Sequence, residues 1–104
     1  MSRYTNVSGF TVATITNAVA GTPVQGADVA VPEGVLVVVK GHPDNTGTIT
    51  IASSSAAAVN TTATCDRLAA NQSVSLQIKN TNQIWADATV AGERALITFE
   101  NPIH

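Results

Sequence analysis

His42 and Asp44 stand two residues apart in GHPDN, and an imidazole beside a carboxylate is the usual form of a general acid–base pair. The setting argues for another role. Pro43 fixes φ, while Asp44 and Asn45 bond their own backbone, so the pair reads as turn polarity. Cys65, followed by Asp66 and Arg67, has the neighbouring cation that activates a thiolate nucleophile, yet no histidine lies near it in sequence, and it reads as a small loop or core residue. His104 is the last residue. One cysteine and two separated histidines write no metal-ligand spacing, and the His-x-His pattern of cupin sites is missing. Asp87, Glu93 and Glu100 alternate with apolar strand positions and read as solvated faces, not as a paired-carboxylate site. Trp85 points opposite to Ile84 and Ala86 in a strand, as part of a second core layer or as a contact anchor on an outer face. The expectation is a protein that is not an enzyme, with no catalytic, cofactor-binding or metal-binding residues.

The elements around these residues are strands. GVLVVVKG at 34–41, TGTITIA at 46–52, SVSLQIKNTNQIWADATV at 73–90 and RALITFE at 94–100 come one after another with turn residues between. In Val74, Leu76 and Ile78 the apolar side chains share one face while Ser73, Ser75, Gln77 and Lys79 share the other, the two-residue period of a half-buried strand. Gly34 to Lys40 is apolar on both faces, which predicts a central strand covered on two sides. GHPDNTG then predicts a hairpin into Thr48–Ile51.

A first strand opens at Phe10 and Val12. Beyond it, Gly21, Pro23, Gly26, Pro32 and Gly34 break the chain into short extended pieces such as Asp28 to Val31. Ala52 to Ala63 is a low-complexity run that predicts a long surface loop with a short strand around Ala57 to Val59. The last three strands predict an antiparallel meander. No segment carries the helical i, i+3, i+4 period over three turns. The fold class expected is all-β: an antiparallel sandwich or jelly roll of seven or eight short strands, with a small open barrel as the rival. Residues 1–8 read as a flexible arm and 9–104 as one β domain.

Composition narrows the function. Charged residues are 12% of the 104, against about 25% in ordinary soluble domains, and Thr, Ser, Asn and Ala stand in their place. A net charge of −2 gives little repulsion between copies, a hint of assembly that composition leaves level with the alternative of a plain soluble monomer with Thr-rich strands. Arg3, Lys40, Arg67, Lys79 and Arg94 are scattered and form no stripe for phosphates, and four dispersed aromatics make no base-stacking platform, so no nucleic acid is expected. No apolar run approaches the roughly 20 residues of a membrane span, and MSRYTNVSGF lacks the apolar core of a signal peptide. A single cysteine closes no internal disulfide and agrees with synthesis in a cytoplasm.

The order of segments resembles a known group. A polar start and β strand, then VPEGVLVVVKGHPDNTGTITIA, a variable loop, and RLAANQSVSLQIKNTNQIWADATVAGE are similar to the short virion structural proteins of tailed bacteriophages that decorate or cement the head. Pro32-Glu33-Gly34, Asn45-Thr46-Gly47 and Leu68 to Leu76 stand at the matching places, and the resemblance covers residues 5–100. The chain departs from the pattern with Asn71 where Gly is usual, a change that positive φ at Asn accommodates.

The resemblance implies a β-sandwich or jelly-roll subunit, often a homotrimer, on the capsid exterior, made in the host cytoplasm and bridging copies of the phage major capsid protein. Tail and fibre accessory proteins share the pattern. The partner-binding candidates are Ser2, Arg3, Tyr4, Thr5 and Asn6 of the arm, together with Trp85. A small carbohydrate-binding sandwich is the first rival, and it needs an exposed aromatic or a carboxylate cluster.

Overall fold

β-Branched residues fill much of the longer strands. In a computed structural model, which describes residues 11–59 and 66–100, the chain forms β1 (Thr11–Asn17), β2 (Val24–Gln25), β3 (Leu36–Gly41), β4 (Ile49–Ala52), β5 (Asp66–Leu68), β6 (Ser73–Leu76), β7 (Trp85–Ala88) and β8 (Glu93–Glu100). One four-residue helix, α1 (Ser55–Ala58), and a 3-10 turn at Thr81–Gln83 complete the described elements.

The strands make two four-stranded antiparallel sheets, ordered β1-β8-β3-β6 and β2-β7-β4-β5. Strand 1 pairs with 8, 3 with 6, 2 with 7 and 4 with 5, so the chain runs as one long hairpin of strand pairs folded over on itself. This is jelly-roll order. Val37, Val39, Ala95, Ile97 and Phe99 of the first sheet meet Ile49, Ile51, Leu68, Ala86 and Ala88 of the second in one core. Alternation does the sorting: β8 reads buried, half-buried without a break over eight residues.

Several expectations are corrected. β3 is an inner strand, but Leu36 and Val38 are only half-buried on the outer face, because no layer of described residues lies over the first sheet. GHPDNTG carries the chain from one sheet to the other, so β3 and β4 are not a hairpin. β6, β7 and β8 are no meander either, since β7 belongs to the opposite sheet. The short strand before β3 is Val24–Gln25, and Asp28 to Val31 contributes one isolated bridge, Ala30 to Asn80. At Ala57 the chain is helical: the Ser54 side chain accepts from the Ala57 N–H at 3.2 Å and caps a turn whose alanines favour helix once capped. The Thr50 hydroxyl, on the outer face of β4, donates to the Ala58 carbonyl at 2.6 Å and fastens α1 there. Asn71 has φ of 69°, the left-handed conformation that Asn tolerates better than other side-chain-bearing residues.

Candidate interaction surface

The strand registers bring four connections to one end of the sandwich. Asn17 lies opposite Glu93, Gly41 opposite Ala95, Lys40 opposite Ser73, and Ile49 opposite both Ala88 and Leu68. Loops 18–23, 42–48, 69–72 and 89–92 therefore crown the same pole. The other pole receives the longer connections.

The crown is held by buried polar side chains. Glu93 is only 5% exposed. Its Oε2 accepts from the Thr46 N–H at 2.5 Å, the Gly47 N–H at 2.7 Å and the Thr46 hydroxyl at 3.1 Å, which pins loop 42–48. Asn45 grips the same strand in two directions, donating to the Arg94 carbonyl at 2.8 Å and accepting from the Arg94 N–H at 3.0 Å. Asp87 is wholly buried, and its Oδ1 accepts from the Gly21 and Ala88 N–H groups at 2.9 and 2.8 Å. Asn17, also wholly buried, donates to the carbonyls of Ala86 at 2.9 Å and Thr22 at 3.4 Å. The Gly92 N–H donates to the Asn17 carbonyl at 2.7 Å, tying loop 89–92 to the end of β1. Loop 69–72 is fixed by the Gly41 N–H to Gln72 carbonyl and Asn71 N–H to Gly41 carbonyl bonds, each 2.9 Å.

On this braced pole sit Val19 and Val90, the two exposed large hydrophobics among the described residues, 60% and 42% accessible. Each opens a Val-Ala-Gly tripeptide, and the glycines hold nearly the same left-handed φ, 90° at Gly21 and 87° at Gly92. A left-handed residue turns the chain back sharply, and only Gly does so without a Cβ clash; in the first loop the Thr22 N–H donates to the Val19 carbonyl at 3.3 Å, so Val19 opens the turn and Ala20 and Gly21 form its tip. Ala18, Ala20, Thr22, Thr89 and Ala91 around them are neutral. Charge is confined to the 42–48 side, where Arg94 lies 3.8 Å from Asp44. The surface is small, uncharged and rigid, with two aliphatic knobs.

Asp87 and Glu93, expected on solvated faces, are both buried: each is recruited by backbone N–H groups of a neighbouring loop, a demand invisible to strand alternation. His42 behaves as the turn reading requires, its Nδ1 accepting from the Asp44 N–H at 3.0 Å. Trp85 is half-buried on the outer face of the second sheet, opposite Ala52 and Gln25 in register and at the far end of β7 from the crown, so it does not join this surface. Ser2, Arg3, Tyr4, Thr5, Asn6, Cys65 and His104 lie outside the described residues. Among the described residues there is no cluster of three His, Cys, Asp or Glu, and no helix is long and apolar enough to cross a membrane. The repeated Val-Ala-Gly is the sequence signal that would have located the crown.

Comparison with protein-family models, with curated proteins and with solved structures finds no match.

Proposed function

We propose that this chain is a non-catalytic structural subunit of a tailed-phage virion, a decoration or cement protein that docks on the outer head and stabilises it. The observation that carries the reading is the crown: two exposed valines on neutral loops whose backbone is tied down by Asn17 and Asp87, beside the 42–48 loop that Asn45 and Glu93 pin. A surface ordered before contact loses little conformational entropy on docking, so modest apolar burial is retained as affinity. Weak sites of this kind suit a repetitive lattice, where several copies acting together raise retention far above single-site affinity.

Jelly-roll sandwiches serve in viral capsids, lectins and cupins, and fold alone does not choose among them. The side chains favour the first. A cupin centre needs clustered metal ligands, and among the described residues no three His, Cys, Asp or Glu come together; a sugar site needs an open aromatic platform, and among the described residues Trp85 is half-buried and Phe99 buried. The partner is the major capsid protein, approached by the crown, with arm residues 1–8 as a second contact. Mass spectrometry of purified particles from the phage that encodes the chain is the test: stoichiometric presence in full heads supports the reading, and absence from heads and tails overturns it.

A further inference from the structure

The two sheets leave four edge strands, β1, β6, β2 and β5, and an open edge invites pairing with another chain unless something blocks it. Three are blocked. β1 carries a register break between Thr11 and Ala13; β2 is two residues long and comes just after Pro23; β5 is three residues long and carries Asp66 and Arg67. β6 has no bulge, proline or charge. Exposed and half-buried residues alternate without interruption from Ser73 to Lys79, so the side-chain alternation runs beyond the paired strand, as far as the bend at Lys79 whose N–H donates to Gln83 Oε1 and whose carbonyl accepts from the Val31 N–H.

The sequence of that edge, SVSLQIK, is a palindrome of polarity centred on Leu76. Beside it, between the sheets, opens a slot of about 180 Å³ walled by Ile51, Leu76, Ile78 and Ile84, with Asp66 and Gln83 at its rim. We propose that two copies of this chain pair antiparallel through β6 about a twofold axis at Leu76, fusing their first sheets into one of eight strands. The pairing sets Leu76 against Leu76 of the partner subunit and Val74 against Ile78 of the partner subunit on the inner face. On the outer face it sets Ser75 against Gln77 of the partner subunit and Ser73 against Lys79 of the partner subunit. Apolar meets apolar and polar meets polar at every position, and no like charges oppose each other. The incoming aliphatic side chains lie over the slot. An isologous contact of this kind closes at two copies, in place of the threefold ring that the resemblance implies, and it stands whether or not the crown binds a shell.

Ser75 and Gln77 are exposed, so charges placed there leave the folded subunit intact while opposing one another across the axis. Light scattering on the wild-type chain at micromolar concentration should give twice the 10.7 kDa subunit mass. S75E/Q77E and S75K/Q77K should each weaken the dimer by about tenfold or more, and mixing the two variants should restore it as a heterodimer. Circular dichroism verifies that both remain folded. A wild-type mass of one or three subunits overturns the proposal, as does a dimer indifferent to both variants. Concentration-dependent amide shifts give a check free of mutation: they should concentrate in residues 73–79, and their confinement to any other edge overturns the assignment.

Discussion

Replacing Glu93 with Ala removes the acceptor that holds loop 42–48, and the cost is set by its bonds. Oε2 takes two backbone N–H groups, at 2.5 and 2.7 Å, and a bond to a charged acceptor contributes about 1.5–3 kcal/mol. The Thr46 hydroxyl is on an exposed residue and is satisfied by water after the change. With both amides at the low end, because the loop is only partly buried, the loss is about 3 kcal/mol. That is a large share of the roughly 5–15 kcal/mol typical of a domain, and it lowers Tm by roughly 12 to 24 °C for a chain of about 100 residues.

Urea unfolding gives the free energy, and hydrogen exchange at the Thr46 and Gly47 amides gives the location. Both amides should lose protection in the variant. Glu93→Gln keeps an oxygen toward the loop and puts an NH₂ in place of Oε1, which has no described donor, so its loss should be nearer to about 1 kcal/mol. A loss below about 1 kcal/mol for Glu93→Ala, or unchanged exchange at the two amides, refutes the view that this carboxylate braces the crown.

Thr50→Val removes the hydroxyl that donates to the Ala58 carbonyl; stability should fall by about 1–2 kcal/mol with faster exchange at the Ala58 amide, and an unchanged denaturation midpoint counts against the anchor. Gly92→Ala meets no neighbour within 4 Å of the new Cβ, so its cost of about 1–2 kcal/mol is purely that of the left-handed backbone, and a neutral result contradicts the rigidity of the loop. Deleting residues 2–8 should reduce retention on undecorated heads while leaving the free protein's oligomeric state and melting curve unchanged; equal retention removes the arm from the contact.

Strand alternation makes most of the architecture legible from the sequence. Val74, Leu76 and Ile78, and the β8 run from Ala95 to Phe99, lie where period two places them. The pairing of strands is hidden, because neighbours in sequence, such as β3 and β4, are given to opposite sheets by long-range contacts that local turn chemistry does not encode. Asp87 and Glu93 mislead for a related reason: a carboxylate in an alternating strand looks solvated until the loop whose N–H groups it accepts is known. The apolar second face of β3 is legible as a pattern, and the structure leaves it half open. The crown is legible only as a repeated tripeptide, Val19-Ala20-Gly21 and Val90-Ala91-Gly92, whose meaning depends on the two loops meeting at one pole.

Co-sedimentation with undecorated phage heads, comparing the wild-type chain with Val19→Asp/Val90→Asp, tests the proposed docking most directly. Both valines are exposed, so the double variant should melt like the wild type, surface changes away from buried features costing within about 0.5 kcal/mol each. The wild-type chain should pellet with the heads and the variant should remain in the supernatant; failure of the wild type to pellet, or equal pelleting of both, contradicts docking through the crown.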